Sequence, residues 1–471
     1  MKAIRIFSLF IVLCSQILIN ASCGQSPTDG VKSPSGKELS NWKGSASKVC
    51  ITPENPMWMS GYGSRDKPAD GKLTELWAKA LCLEDPNGSR GLIITLDLVG
   101  IDRNISQQIC SRLQAKYSLE RSHIAICTSH THTGPAVGEN LKSMLVWRLN
   151  AEHEKKIDDY SRWLVEKVMQ AAGEAINGLQ PVTLSWGNGS TNFAVNRRTN
   201  SEPQVPEVRA TGELKGPHDH DVPVLALRDS KGSLKAVLFG YACHATVLGT
   251  YQWSGDYPGF AQMELETLHP DTIALFWAGC GADQNPLPRR TVEHAKHYGR
   301  RLADAVESVL LTSKMLPIEG KLTFQYQEID LSFDQLPSLG QLQIDHDSKD
   351  PYIASRANRL LAQIEKEKTL SSTYPYPIGS WQIGDIQWIT LGGEVVVDYA
   401  LRLKQELNQK RTWIAGYSHD VMAYIPSRRV LTEGGYEGGG AMVYYGLPSP
   451  WAPTVEESIL REVHRQLDSP R

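Results

Sequence analysis

The sequence predicts an α/β fold: a single large domain in which a mixed or parallel sheet is flanked by helices, with a functional site at the carboxyl ends of strands. Three observations support this prediction. Apolar runs rich in β-favouring residues alternate with segments of helical periodicity. Residues 47–471 contain no internal repeat and no clear linker. Several apolar runs also end in polar or small residues, at the position where sites assemble in such sheets.

The first strand–helix–strand unit ends in a pair of histidines. GLIITLDLVGID, from Gly91, predicts a strand, and NISQQICSRLQAKYS predicts a helix capped by Asn104. The strand HIAICTS follows and leads into CTSHTHTGP. Residues two apart on an extended chain project from one face, so His130 and His132 are expected side by side. This geometry suits a metal, but an isolated pair is more often an ordinary polar pair, so the interpretation needs partner ligands.

The rest of the chain continues the alternation. AVLFGYACHAT and TIALFWAGCGAD predict buried strands, and WQIGDIQWITLGGE predicts a hairpin. Helical periodicity marks six further segments: EHEKKIDDYSRWLVEKVMQAAGEAINGL, DYPGFAQMELETLH, VEHAKHYGRRLADAVESVLLTS, DPYIASRANRLLAQIEKEKTLSS, VVVDYALRLKQELNQ and TVEESILREVHRQL.

Composition limits the classes of partner. The apolar fraction of 41% supports a substantial core in 471 residues. Lys plus Arg number 49 and Asp plus Glu 52, giving a net charge of -3 without a long run of one sign, so no nucleic-acid partner is expected. No Cys-x-x-Cys pair follows residue 46, which argues against a cysteine zinc site, and no disulfide can be assigned.

Residues 1–23 are predicted to be an export signal. Two basic residues precede a short apolar stretch, and two small residues precede Cys23, as in a bacterial lipobox. Asn20 stands where Leu is usual, so cleavage without lipidation remains an alternative. We therefore expect an exported protein, either a periplasmic or outer-membrane-anchored lipoprotein attached through a lipid on Cys23 or a secreted protein.

The mature chain is predicted to have two parts. Residues 24–46, rich in Ser, Gly, Pro and Lys, are expected to be a flexible tether. Residues 47–471 are expected to form the catalytic domain. No later stretch reaches the roughly 18 apolar residues of a membrane-spanning helix.

Two further residues have the chemistry of metal ligands. His244 follows the apolar run LFGYAC, and Glu394 lies in TLGGEV, where two glycines allow the backbone to turn. Imidazole and carboxylate are the usual protein ligands of catalytic zinc, although each residue alone is weak evidence. The HDHD run at 218–221 also has ligand chemistry, but it precedes a strand and is interpreted as a solvated loop.

Several separated stretches, in one order along the chain, resemble the neutral (non-lysosomal) ceramidases. They are WMSGYGSRDKPADGKLTELWAKALCLED, SHTHTGP, NRR, CHATVLG, SGDYPGFAQMELE, GGEVVVDYALRLKQEL, IAGYSHDVMAYIPSRR and YEGGG. Their shared order makes chance a poor explanation.

The resemblance implies a zinc-dependent amidohydrolase, in which zinc-activated water cleaves the N-acyl amide of ceramide or a related N-acyl lipid. It places His130, His244, Glu394 and Tyr424 at the zinc ligands. It places His132, Arg197 and Tyr436 in catalytic roles, as donors to the oxyanion and a path for the proton, which agrees with general acid–base chemistry.

The chain departs from the family pattern in two places. GADQNP retains Asp283 but has Asn285 where the family carries serine, so a serine nucleophile is not expected. The family's C-terminal immunoglobulin-like domain is expected to be absent. Two alternatives therefore remain: a zinc hydrolase of a non-lipid amide or ester, and a non-catalytic cell-surface binding protein of the same fold. No protein partner is predicted.

Overall fold

The first strand begins inside the predicted tether. The computed structural model describes residues 42–312 and 315–468, so the predicted export signal and residues 24–41 of the tether lie outside the described residues. Residues 43–46, also assigned to the tether, instead belong to a strand, Lys43–Cys50. Gly44 and Ser47 are buried in this strand, where their small size allows close packing. Because they are not apolar, the segment lacks the alternation of apolar and polar residues that predicts a strand.

Most strands lie in two sheets. In chain order the strands are β1 Lys43–Cys50, β2 Gly71–Lys72, β3 Trp77–Glu84, β4 Arg90–Leu96, β5 Ile124–Thr128, β6 Gln180–Ser190, β7 Ala194–Asn196, β8 Asp221–Asp229, β9 Leu234–Tyr241, β10 Gln252–Trp253, β11 Ile273–Ala278, β12 Gln284–Pro286, β13 Leu316–Pro317, β14 Leu322–Ser332, β15 Thr373–Ile383, β16 Ile386–Leu391, β17 Glu394–Val395, β18 Thr412–Ala415 and β19 Tyr424–Ile425.

The larger sheet is mixed, as predicted. Its order is β11-β9-β8-β6-β1-β3-β4-β5, with β13 paired to β6. The β4–β5 and β9–β11 pairs are parallel, and the others along this order are antiparallel. The edge strands β11 and β5 approach each other, and residues 415–418 bridge to both edges.

A second sheet packs against the first. Its order is β14-β15-β16-β18, in which only the β16–β18 pair is parallel. Tryptophans fill much of the core between the sheets: Trp186 and Trp277 come from the larger sheet, and Trp381, Trp388 and Trp413 from the smaller. Periodicity predicts buried strands but not how they divide between sheets, so the second sheet was not foreseen.

Helices cover the outer faces. They are α1 Arg103–Tyr117, α2 Lys142–Leu145, α3 Ala151–Asn177, α4 Val205–Ala210, α5 Asp256–Leu268, α6 Val292–Leu310, α7 Leu339–His346, α8 Pro351–Glu367, α9 Val397–Glu406, α10 Arg428–Glu433, α11 Met442–Tyr445 and α12 Val455–Asp468. Helices α3, α5 and α6 pack on the larger sheet, while α9 and α12 pack on the smaller one. Within the described residues, no helix has the length and apolar character needed to cross a bilayer.

The predicted helices are present, with one corrected cap. Asp102, not Asn104, caps α1, because its carboxylate accepts a hydrogen bond from the amide of Ile105 at 2.9 Å. The HDHD run lies in the loop that leads into β8, as predicted, but it is only partly solvated, because His218 is exposed whereas the three residues after it are partly buried. Asp219 and Asp221 pair with the buried ammonium of Lys404 at 2.7 Å, which satisfies a cation that would otherwise be buried alone.

Candidate metal centre and catalytic site

The loops after β5 and β9 run side by side, and this brings the predicted histidines together. Thr131 and Ala245 form a parallel bridge, and the amide of His132 donates to the carbonyl of Ala245 at 3.2 Å. The rings of His130 and His244 consequently lie with centroids 4.7 Å apart. His130 has a φ of 59°, a left-handed conformation that non-glycine residues adopt mainly where surrounding structure enforces it.

A short parallel pair of strands supplies the two oxygen donors. Glu394 of β17 and Tyr424 of β19 are direct partners in register. Gly393, with a φ of 73°, makes the turn before Glu394 that the sequence predicted. Both side chains are buried beside the histidines. All four predicted zinc ligands therefore meet in one place.

The donor atoms converge closely. Oε2 of Glu394 lies 3.2 Å from Nε2 of His130 and 3.2 Å from Nε2 of His244. The hydroxyl of Tyr424 lies 3.3 Å from the same nitrogen of His244. His130, His132 and His244 each offer a nitrogen to one buried group whose atoms all lie within 4.8 Å of one another.

The tautomers of two histidines leave this cluster short of protons. Nδ1 of His130 lies 2.6 Å from the carbonyl of Val99, and Nδ1 of His244 lies 2.8 Å from that of Gly281. A carbonyl only accepts, so each Nδ1 carries the hydrogen and each Nε2 of the neutral ring presents a lone pair. Burial lowers the pKa of His244 to about 4, which keeps that ring neutral.

A cation would satisfy the cluster. The two Nε2 lone pairs face Oε2 of Glu394, which has no hydrogen-bond partner. Lone pairs at this separation repel unless a positive charge lies among them. Nitrogen and oxygen donors of this kind fit Zn²⁺, and the carbonyls fix the ligand tautomers.

His132 lies at the edge of this group. Its Nε2 is 3.1 Å from Nε2 of His130, so it could either bind a metal or donate to a substrate. Its Nδ1 is buried and has no hydrogen-bond partner, unlike that of His130 and His244. Burial, followed by the neighbouring imidazoles, lowers its pKa well below the usual value, so the ring is neutral.

Arg197 connects the cluster to its surroundings. It donates from Nη2 to the hydroxyl of Tyr424 at 3.1 Å, from Nε to Glu437 at 2.7 Å and from Nη1 to Oδ1 of Asn285 at 3.3 Å. This position beside Tyr424 is compatible with the catalytic role that the resemblance implies for Arg197. Burial raises the pKa of Tyr424 well above its usual value, and the Arg197 charge opposes that rise.

Tyr436 lies between the cluster and the surface. Its ring centroid is 5.2 Å from that of Tyr424, and the side chain of Arg197 lies 5.7 Å from each ring. Tyr436 is 43% exposed. It can therefore meet a ligand entering from solvent.

Sequence reasoning missed four residues around the site. Tyr445 donates to Oε1 of Glu394, Glu437 binds Arg197, Tyr62 packs on His132 at 4.7 Å, and Tyr417 packs on His130 at 4.3 Å. Tyr62, Tyr417 and Glu437 lie in SGYGS, AGYSH and YEGGG, which belong to stretches that resemble the ceramidases. Their position in these stretches could have indicated that they belong to the site. Tyr445 lies in none of the stretches that resemble the ceramidases, so the sequence did not indicate its role.

The chain is similar to known proteins in both sequence and fold. Residues 44–275 match the family described as neutral/alkaline non-lysosomal ceramidase, N-terminal. This confirms the resemblance, and the matched segment contains His130, His132, Arg197 and His244.

Relatives and solved structures extend beyond that segment. A neutral ceramidase of Pseudomonas aeruginosa is 22% identical over 85% of this chain and 68% of its own length. One from Drosophila melanogaster is 25% identical over 44% of this chain and 29% of its own. The crystal structure of the Pseudomonas aeruginosa neutral ceramidase superposes with a TM-score of 0.70 at 18% identity, covering 91% of this chain and 74% of that one. The neutral ceramidase fold therefore extends over nearly the whole chain.

Proposed function

We propose that this chain is a zinc-dependent amidohydrolase that cleaves the N-acyl amide of ceramide or a related N-acyl lipid. The observation that carries the proposal is the unprotonated face shared by His130, His244 and Glu394. The match of residues 44–275 to the ceramidase family supports amide hydrolysis as the reaction class of that site. A surface binding protein would have no need for a buried set of donors with fixed tautomers.

His130, His244, Glu394 and Tyr424 would hold the ion. Bound zinc supplies Lewis-acid chemistry, which polarises a carbonyl and activates water near neutral pH. His132 is left out of the ligand set because no carbonyl orients its ring, unlike the rings of His130 and His244. Arg197 donates to the hydroxyl of Tyr424, and this contact would stabilise the ionised form of that hydroxyl with zinc bound.

The remaining side chains account for the bond changes. Hydrolysis adds a water oxygen to the amide carbon, breaks the C–N bond and transfers a proton to the departing amine. His132 lies beside the metal-facing nitrogen of His130 and can move that proton. Arg197 and the hydroxyl of Tyr436 can donate to the carbonyl oxygen as negative charge develops on it. Asn285 accepts from Arg197 and, having no hydroxyl, cannot act as a serine-type nucleophile.

A substrate panel tests the proposal. Purified protein with zinc, the same protein after chelation, and the chelated protein with zinc restored are assayed in detergent micelles against N-palmitoylsphingosine, an N-palmitoyl amino acid and a palmitate ester. We expect zinc-dependent release of fatty acid, fastest from N-palmitoylsphingosine. Faster cleavage of either other substrate would replace the ceramide assignment, and no zinc-dependent cleavage of any would overturn the hydrolase assignment.

Export is proposed on the sequence alone. The basic residues, apolar stretch and small-small-Cys ending of residues 1–23 favour cleavage before Cys23 and lipidation of its thiol. Mass spectrometry of the mature N-terminus tests this. A diacylglycerol-modified Cys23 is expected, and an unmodified N-terminus beyond it would indicate a protein released without an anchor.

A further inference from the structure

Arg290 lies beside the candidate site in a strained backbone conformation. Its φ is 91°, which residues other than glycine rarely adopt, and its amide donates to the carbonyl of Val247 at 2.7 Å. Val247 belongs to the loop that follows β9, and the same loop carries His244. The surrounding structure therefore holds Arg290 next to the loop of a candidate metal ligand.

The side chain of Arg290 is connected to His132 through a single ring. Its Nη1 donates to the hydroxyl of Tyr62 at 3.3 Å, and its guanidinium lies 5.4 Å from the centre of the Tyr62 ring. That ring packs on His132 at 4.7 Å. Gly249 leaves room for the guanidinium, because a Cβ there would lie only 3.2 Å from Nη1. Arg290 is exposed, so it can meet a ligand that enters the site from solvent.

A second arginine also packs on Tyr62. The guanidinium of Arg65 lies 4.9 Å from the ring centre, and the residue is only 2% exposed. It donates to the carbonyls of Ser60 at 2.7 Å and Thr250 at 3.1 Å, and its Nε has no hydrogen-bond partner. Burial lowers its pKa to about 10, so the group stays protonated at neutral pH. Carbonyl groups carry no net charge, so this buried cation has no counter-ion.

Neither arginine is paired with a carboxylate. In the part of the chain that the structure describes, the side chains of Arg65 and Arg290 bind only carbonyl and hydroxyl oxygens. Arg289, the neighbour of Arg290, instead binds both carboxylate oxygens of Glu202, at 2.8 and 2.7 Å. Glu202 is thus already paired, and two cations around Tyr62 are left without an anion. Such unpaired positive charge beside a reaction centre favours an anionic ligand.

The free edge of Arg290 limits the kind of anion. Among the described residues only its Nη1 makes a contact, which leaves Nε and Nη2 free. A guanidinium binds a carboxylate through two parallel hydrogen bonds, which a hydroxyl group or an apolar chain cannot accept. Because one ring separates Arg290 from His132, a short acidic head group can reach from the metal centre to this edge.

We propose that Arg290 binds a carboxylate on the amine side of the substrate, so that N-acyl amino acids are a second substrate class beside ceramide. The inference rests on the proposed function, because it assumes that the amide lies at the metal centre. Arg290 makes the contact, and the buried charge of Arg65 adds to the positive potential around it. Hydrolysis adds water across the C–N bond and releases a fatty acid and an amino acid, with a proton of the water passing to the amine. No further reactant is needed.

A matched pair of substrates tests the contact. N-palmitoylglycine and N-palmitoylethanolamine differ by a carboxylate in place of a hydroxymethyl group. The kcat/KM of the first relative to the second is measured with zinc present for the wild type, Arg290→Ala, Arg290→Lys and Arg300→Ala. Arg300 is an exposed arginine of α6, so its removal changes the net charge equally.

The ratio should respond only to Arg290. We expect it to fall about tenfold in Arg290→Ala, to recover in part in Arg290→Lys, which keeps the charge but not the paired donors, and to stay at the wild-type value in Arg300→Ala. An unchanged ratio in Arg290→Ala, including an equal loss on both substrates, would overturn the proposal.

A second measurement requires no hydrolysis and separates this proposal from the proposed function. N-(hexadecylsulfonyl)glycine and N-(hexadecylsulfonyl)ethanolamine have a sulfonamide in place of the amide, and their binding to the same variants is followed by calorimetry. Weaker binding of the glycine analogue alone in Arg290→Ala supports the carboxylate contact even if neither palmitoyl substrate is cleaved, a result that would count against the hydrolase proposal only. Equal binding of the glycine analogue by the wild type and Arg290→Ala would overturn the contact even if ceramide is cleaved.

Discussion

The hydroxyl of Tyr445 donates a hydrogen bond to Oε1 of Glu394, and this contact leaves Oε2 of the carboxylate free to face His130 and His244. Both side chains are buried. The hydrogen bond to one carboxylate oxygen fixes the direction of the other oxygen. Tyr445 therefore orients Glu394 in the way that residues behind a metal ligand commonly do. The pair lies 51 residues apart in the chain, so only the fold reveals it.

Loss of this contact should weaken metal binding. We expect Tyr445→Phe to keep the ring packing but to reduce zinc affinity by about 10–100-fold, because Glu394 loses its orienting donor. Competition with a chromophoric chelator measures the affinity. Tyr444→Phe, changed at the adjacent residue, is the control and should keep wild-type affinity. Equal affinities in the two variants would contradict a positioning role for Tyr445.

Glu437 should act through Arg197. Its carboxylate accepts from Arg197 and from Arg198, at 2.7 Å in each case, and it is buried. We expect Glu437→Gln to lower kcat by about tenfold or more while zinc stays bound, since a buried charge-assisted contact is lost.

Glu433→Gln is the matched control for that change. Glu433 also binds Arg198, but it is half exposed and does not contact Arg197. Steady-state kinetics on the best substrate of the panel, with zinc content measured in parallel, should therefore show little change. Equal losses of kcat in the two glutamine variants would assign the effect to Arg198 instead.

Replacing Asn285 by serine should not increase activity. Its Oδ1 accepts from Arg197 at 3.3 Å, and a serine hydroxyl could accept in its place. We expect kcat/KM of Asn285→Ser to stay within about threefold of wild type, and that of Asn285→Leu to fall about tenfold because Arg197 loses an acceptor. A large gain of activity in Asn285→Ser would show that a serine at this position has a direct chemical role.

Stability should depend on pH through Asp420. Burial raises the pKa of this carboxyl to about 7, although Tyr374 donates to it. The folded state therefore holds a proton that the unfolded chain releases near pH 3.8. Protonation favours folding, so this contribution is complete below about pH 3.8 and is lost as pH rises towards 7.

Chemical unfolding of Asp420→Asn between pH 5 and 8 measures that contribution. The free energy of unfolding of the wild type, minus that of the variant, should decrease as pH rises over this interval. Asp347→Asn removes an exposed carboxylate and should give a flat difference. A flat difference for Asp420→Asn as well would contradict a raised pKa in the folded state.

Much of the fold and site was predictable because their signals are local. The apolar run of β5 marked the strand before the histidine pair, and the spacing of His130 and His132 predicted neighbouring rings, which lie 4.8 Å apart. The backbone between them is not the extended one assumed, because His130 has a φ of 59°. Relations across the chain were not predictable in this way. Glu437 binds Arg197 across 240 residues, and the second sheet depends on which strands pair rather than on which segments are strands. The prediction of a tether over residues 43–46 was wrong for a related reason, because small side chains can be buried in a strand without an apolar pattern.

His244, but not His132, is expected to hold the zinc ion. Elemental analysis of purified wild type, His244→Ala, His132→Ala and the exposed control His297→Ala tests it directly. We predict about one zinc per chain in the wild type, His132→Ala and His297→Ala, and little in His244→Ala. Activity should be lost in both site variants. Full zinc occupancy in His244→Ala, or loss of zinc from His132→Ala, would contradict the assignment.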